Sequence, residues 1–246
     1  MSAFDPIFNL IRPNTGEAKV LVVELASPIG DRLIGLLSKH ERHQCHRFRH
    51  EEDRRASGVM RGLWKLGAGA LTDCHPSEIE MLRNSLGRPV IQGLERDQRD
   101  LNVSRTKSCC GLIMSGDGRC GIDIERVEPG LVTPELIEML FGVNQNTQKM
   151  SQDVGGFFTR WVQTEAALKA DGRGLSDGLR IAQRVICKSD GRHSLDIGPK
   201  TWTIGATRMP LGIVGSYALE HERTRVSQIC IKEIEAVWTS RILCAH

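Results

Sequence analysis

Short apolar runs alternate with polar, glycine-marked breaks along the chain. Lys19 to Leu25 predicts a strand, and Asp31 to His40 a short helix. Arg47 to Leu66 is charged, then apolar, and predicts a longer helix. Its early acids, Glu51, Glu52 and Asp53, and its later Arg54, Arg55, Arg61 and Lys65 suit the helix dipole. Gly67-Ala68-Gly69 should then break or weaken it. Glu78 to Leu82 reads as a short extended piece, and Leu86-Gly87-Arg88-Pro89 as a turn. Leu101 to Ser104, Cys109 to Met114 and Cys120 to Glu125 are predicted strands. Ser115-Gly116-Asp117-Gly118 would be the hairpin turn between the last two.

A second half begins near residue 115. Thr133 reads as an N-cap, with Pro134 and Glu135 opening a helix that runs to about Phe141. Asn144 to Asp153 is polar and predicts a loop or irregular helix. Gly156 to Ala170 predicts a helix whose apolar face carries Phe158, Trp161, Val162 and Leu168, with Gly172 as its left-handed cap. Leu179 to Cys187, Thr201 to Arg208, Leu211 to Leu219 and Ile229 to Val237 are strand-like. The middle two would form a hairpin turned at Met209-Pro210. Each half, 1–114 and 115–246, thus mixes strands with one main helix. This pattern predicts an α+β fold, with a ligand cleft between halves as an ordinary place for a site.

The chemistry concentrates in Gly121-Ile122-Asp123-Ile124-Glu125. On a strand, Ile122 and Ile124 would face a core while Asp123 and Glu125 project together on the other face. Two like charges held close call for a cation, and a hard divalent ion takes oxygen ligands. On the following helix Glu165 lies one turn beyond Trp161, and Lys169 one turn beyond Glu165. A buried acid there requires a partner or a metal. Asp-x-Glu on a strand is equally compatible with a solvated face, and Glu165 with Lys169 with a surface ion pair worth little.

The chain has 246 residues, 40 % of them hydrophobic, which suffices for one large domain or two modest ones. Its net charge is +3, so composition demands no nucleic acid, and aromatics at 4 % offer little platform for stacking bases. Met1-Ser2-Ala3-Phe4-Asp5-Pro6 is not a signal peptide, and the apolar run Val20 to Val23 is too short to span a bilayer. A soluble, cytoplasmic protein that does not associate with membranes is the expectation. Eight cysteines are present, none in Cys-x-x-Cys, and a disulfide framework is not expected. Cys109-Cys110 reads as core. His43, Cys45, His46 and His50 crowd together, but their spacing matches no standard zinc site.

Basic residues gather beside the turns. Arg83 and Arg88 bracket Gly87, Arg105 and Lys107 follow Ser104, and Arg42, Arg47 and Arg61 lie upstream. Such arginines suit a polyphosphate, and equally a solvated surface.

In this order the segments resemble the surfactin-type 4'-phosphopantetheinyl transferases. Arg47-Phe48 through Arg55 looks like that superfamily's Arg-Phe…Glu-Asp-Arg helix, and Gly87-Arg88-Pro89 like its Gly-Lys-Pro turn. Asn102-Val103-Ser104-Arg105-Thr106 looks like its Asn-Val-Ser-His strand end. Gly121 to Glu125 matches Gly-Ile-Asp-Ile-Glu directly. Trp161 through Lys169, then Gly172-Arg173-Gly174-Leu175-Ser176, resembles its Trp-x-x-Lys-Glu-Ala helix. The matches span about residues 41 to 176.

The resemblance implies two similar α+β halves, a pseudo-dimer in one chain, with coenzyme A in the cleft between them. It implies transfer of phosphopantetheine from coenzyme A to a serine of an apo acyl or peptidyl carrier protein, releasing 3',5'-ADP. That is a holo-carrier synthase activity in fatty-acid, polyketide or nonribosomal-peptide biosynthesis. By the same pattern Asp123, Glu125 and Glu165 would hold magnesium, or manganese, on the pyrophosphate. Glu165 would also take the serine proton, and Lys169 would neutralise phosphate charge. Arg83 and Arg105, beside Ser104, would hold the 3'-phosphate, and Gly87, Arg88 and Pro89 would meet the adenine. Two halves in one chain make a monomer the expected state. Carrier proteins are usually acidic, which suits a slightly basic enzyme.

Three positions depart from the pattern. Arg105 stands where the family usually has histidine, Thr164 where it often has lysine, and Gln44 where it tends to be basic. The rivals are a catalytically weakened relative that binds coenzyme A or a carrier, a metal-dependent phosphohydrolase using the same acids, and a zinc module on His43, Cys45 and His46.

Overall fold

The computed structural model describes residues 4–92, 98–141, 153–172, 185–187 and 193–242. The expected glycine-leucine segment after Gly172 and the strand-like run 179–184 lie outside them. The fold is α+β and divides into two compact units, residues 1–117 with 224–246, and residues 118–223.

Unit 1 is built on a four-stranded sheet of β1 (Glu17–Glu24), β4 (Asp100–Arg105), β5 (Cys109–Ser115) and β11 (Arg225–Ile229), in the order β11-β1-β5-β4. β11 runs parallel to β1, and the other pairs are antiparallel. Over this sheet lies α4 (Glu51–Thr72), which buries Leu63, Trp64 and Leu66 against Leu112 and Met114. α4 does not break at Gly67-Ala68-Gly69. A Cβ at Gly67 would stand 3.0 Å from Leu112, and one at Gly69 would stand 2.8 Å from the Cys74 carbonyl oxygen. Those glycines let the helix press close, and tertiary packing overrides their low propensity.

The predicted helix 31–40 is two helices, α2 (Pro28–Gly35) and α3 (Lys39–His46). The break is a reciprocal cap. Ser38 Oγ accepts from the Glu41 amide at 3.2 Å, and Glu41 accepts from the Ser38 amide at 2.8 Å. The same Glu41 carboxylate pairs with the buried Lys65 ammonium of α4 at 2.8 Å. In place of the predicted strand 229–237, β11 ends at Ile229 and α7 (Ile231–Ile242) begins, burying Ile234 in unit 1. Pairing with β1 therefore places the last segment with the first unit, whereas the sequence suggested the second half.

Unit 2 is a five-stranded antiparallel sheet in the order β6-β10-β9-β8-β7, from β6 (Cys120–Arg126), β7 (Val185–Cys187), β8 (His193–Ile197), β9 (Lys200–Ala206) and β10 (Ile213–Leu219). The β9–β10 hairpin forms where predicted. β5 and β6 do not, because they belong to different sheets, and 115–118 is a crossing between units rather than a hairpin turn. α5 (Pro134–Phe141) opens as expected, with Thr133 Oγ1 accepting from the Leu136 amide at 3.2 Å. α6 (Val154–Asp171) packs on β6 and β10 and closes a core of Ala167, Leu168, Leu195, Ile197, Trp202 and Ile204. Asp153 caps its first turn through the Gly156 amide at 2.8 Å. Gly172, at φ 90°, ends it as predicted.

Candidate functional site

β6 presents Gly121, Asp123 and Glu125 on one face, opposite Ala218, Ser216 and Val214 of β10. The sequence suggested that this face points away from the core. Instead α6 lies across it, and the isoleucines on the other face are fully buried as well. Gly121 explains the contact. A Cβ there would overlap the Ala166 carbonyl oxygen and stand 2.6 Å from the Ala170 amide nitrogen. With no side chain at 121, the α6 backbone settles onto the strand, and Glu165 and Lys169 come down beside the strand's carboxylates.

Four charged groups result. The Lys169 ammonium donates to Asp123 Oδ1 at 2.6 Å, and Asp123 is only 4 % exposed. Burial, reinforced by the Asp123 charge, pushes the Glu165 carboxyl up to about 7, although Lys169 opposes the shift. The same two causes in the same order raise Glu125, opposed first by the Lys169 charge and then by the Trp161 side chain. Glu165 Oε1 is buried and has no hydrogen-bond partner among the described residues. The geometry thus joins Asp123, Glu125, Glu165 and Lys169 into one electrostatic unit.

Among the described residues, no three histidine, cysteine, aspartate or glutamate side chains close on one metal position. The donor set nonetheless fits a hard divalent cation in kind: three carboxylates, one carrying an orphaned buried oxygen. Thr164, at the family's lysine position, is buried, and its hydroxyl donates to the Arg160 carbonyl at 2.9 Å. It brings no charge to the cluster.

Trp161 escaped the sequence reading as a site residue. It was read as part of an apolar face and as the opening of the Trp-x-x-Lys-Glu-Ala resemblance, and it does pack with the Ile137, Phe157 and Phe158 cluster. Its position one turn before Glu165 was the available signal.

The nucleotide candidates lie in unit 1. Arg83 and Pro89 belong to the small hairpin of β2 (Leu82–Arg83) and β3 (Pro89–Val90). Arg83 donates to the Gly87 carbonyl at 2.6 Å. Arg88 is buried and pairs with Asp100 at 2.6 Å, so it fastens the turn to the start of β4. Arg105 ends that strand, about 17 Å of extended chain further on. Arg83, in the β2–β3 hairpin, and Arg105, at the end of β4, are the two arginines expected to share one phosphate. Arg105 stacks over the exposed Phe48 ring, 5.4 Å from its centroid, with Asp53 4.0 Å away. Ser104 is buried beside it.

Arg42, another candidate, donates to the Leu37 and Gly35 carbonyls and so caps α2. Cys45 turns inward, its thiol 3.7 Å from the Ser57 hydroxyl, while His43 and His46 are exposed. These three do not converge. Cys109 and Cys110 are core residues, and burial raises both thiols. No described helix is long and apolar enough to cross a membrane.

No protein-family model matches the chain. Individual proteins do. A 4'-phosphopantetheinyl transferase of Bacillus subtilis is 26 % identical over 172 residues, covering 68 % of this chain and 74 % of that protein. A second Bacillus subtilis protein of that name is 25 % identical over 171 residues, with the same coverage of each. A phosphopantetheinyl transferase of Thraustochytrium is 26 % identical over 182 residues, covering 68 % of this chain and 63 % of that protein. Over about two thirds of its length the chain is thus similar to proteins named as 4'-phosphopantetheinyl transferases, in agreement with its ordered motifs.

Proposed function

We propose that this chain transfers 4'-phosphopantetheine from coenzyme A to a serine hydroxyl of an apo acyl or peptidyl carrier protein, releasing 3',5'-ADP. The observation that carries this reading is the clustering of Asp123 and Glu125 of β6 with Glu165 and Lys169 of α6. Relatives named for that enzyme support it.

In this reading Asp123, Glu125 and Glu165 hold magnesium or manganese, which supplies charge neutralisation and orientation at the pyrophosphate when bound. The serine oxygen bonds to the β-phosphorus, and the bond from that phosphorus to the bridging oxygen breaks. The electron pair leaves with 3',5'-ADP. Glu165 accepts the serine proton, directly or through water. Lys169 neutralises charge on the phosphates, since such transfers depend mainly on positioning and electrostatics.

Arg105, braced on Phe48 next to Ser104, is assigned to the 3'-phosphate. Arg83 is assigned with it to the 3'-phosphate, and the Gly87-Arg88-Pro89 turn to the adenine, with Arg88 acting through its hold on Asp100. Two similar halves with coenzyme A between them, a monomeric state and a cytoplasmic location complete the reading by resemblance.

Buried, uncharged Thr164 favours a second reading, a relative that binds coenzyme A or a carrier with little turnover. Chromatographic detection of 3',5'-ADP from coenzyme A and magnesium separates the cases. Release only with an apo carrier supports transfer. Loss of 3',5'-ADP from coenzyme A without a carrier supports a hydrolase, and no release with measurable coenzyme A binding supports the weakened relative.

A further inference from the structure

We infer that Lys169 is a stand-in cation. Its ammonium neutralises Asp123 in the metal-free protein and must leave that carboxylate before a divalent ion can be held there. The inference rests on the metal reading given above for Asp123, Glu125 and Glu165.

Asp123 is fixed. It sits mid-strand in β6, nearly sealed from water under α6. An ionised carboxylate in such a place needs a counter-charge, and without one it is strongly destabilising. Lys169 supplies it at 2.6 Å. The two partners differ in freedom. The lysine side chain keeps 29 % exposure and the aspartate 6 %. A four-carbon stem can swing through side-chain rotations alone, whereas the strand carboxylate cannot follow.

The acids, as they stand, do not close on one metal position. Lys169 rises from α6 one turn after Glu165, so the competing cation and a candidate ligand share one rigid element. Displacement from Asp123 would also make the ammonium available to the phosphates. Metal and the pyrophosphate of coenzyme A should then favour each other's binding, because the lysine exchanges one anionic partner for another.

The test is a manganese titration without nucleotide, following free Mn2+ by electron paramagnetic resonance. Wild type, Lys169→Met and Lys169→Arg are compared. Loss of a partly buried, charged hydrogen bond corresponds to about tenfold or more in affinity. Lys169→Met should therefore bind Mn2+ about tenfold more tightly than wild type, and Lys169→Arg should not. A wild-type measurement covers the case in which Lys169→Met fails to fold. Saturating Mn2+ should raise the acetylation rate of Lys169, read by peptide mass spectrometry.

Equal or weaker binding by a folded Lys169→Met overturns the inference and leaves the metal reading standing. Lys169 reactivity that does not rise while wild type binds Mn2+ does the same. No binding to any of the three proteins also overturns it. Carrier modification by wild type, with magnesium and with EDTA, then decides the functional reading separately.

Discussion

Gly121 of β6 lies so close beneath Ala166 of α6 that any Cβ at 121 would overlap the Ala166 carbonyl oxygen. That approach carries Glu165 and Lys169 to Asp123 and Glu125. Gly121→Ala must push the helix away or distort the strand. Overpacking of this kind costs about 3 kcal/mol at its usual upper range. Urea denaturation should show that loss, and transfer activity should fall with it, because the four charged groups separate. An unchanged midpoint would mean that the strand and helix leave room for a methyl group at 121.

Glu165 ties stability to pH in the metal-free protein. Its folded pKa, about 7, lies above the ordinary carboxylate value of 4.5, chiefly through burial. The folded state therefore holds the proton more firmly. The associated stability is fully present below about pH 4.5 and is lost as pH rises through 7. In EDTA, raising the pH from 5.5 to 8 should lower the Tm of wild type more than that of Glu165→Gln. Identical pH profiles for the two proteins would contradict the buried position of this acid.

The Trp161 side chain opposes the upward shift of the Glu125 carboxyl, so its indole N–H is a candidate for positioning that acid. Trp161→Phe keeps an aromatic ring in the apolar cluster but removes the donor. Metal affinity should fall about tenfold, as for other residues that hold a ligand in place. Circular dichroism should show an intact fold. Unaltered Mn2+ binding would reduce Trp161 to a packing residue.

Arg88 and Arg105 should behave differently although both flank β4. Arg88→Ala leaves Asp100 without its buried partner, and truncating one side of such a pair costs about 3 kcal/mol. Its effect should appear in stability. Arg105→Ala should raise the KM for coenzyme A about tenfold through loss of a charged hydrogen bond. It should leave the KM for 3'-dephospho-coenzyme A unchanged. Equal effects on both substrates would remove Arg105 from the 3'-phosphate.

The site was legible where local chemistry and structure agree. Alternation put Asp123 and Glu125 on one face of a strand, helical spacing put Glu165 and Lys169 together, and Gly172 marked the helix end. Longer-range packing was not legible. Gly67 and Gly69 look like helix breakers because propensity sees only the missing side chain, not the Leu112 and Cys74 atoms that fill its place. Gly121 looked like part of a motif rather than the seat of α6. Arg88 and Arg42 read as candidate ligands, and composition could not show that Arg88 also pairs with Asp100 and that Arg42 donates to carbonyls at the end of α2. Residues 229–237 have an apolar pattern that suits a strand in isolation. The partner that makes them part strand and part helix, β1, lies two hundred residues earlier.

The central claim is phosphopantetheine transfer by this cluster. Intact-protein mass spectrometry of an apo carrier, incubated with this protein, coenzyme A and magnesium, tests it most directly, with Glu165→Gln and an EDTA sample alongside. The expected result is a mass gain of one phosphopantetheine, reduced about 100-fold or more in rate by Glu165→Gln and absent in EDTA. No gain on fatty-acid, polyketide or peptide carriers, with coenzyme A binding intact, would contradict it.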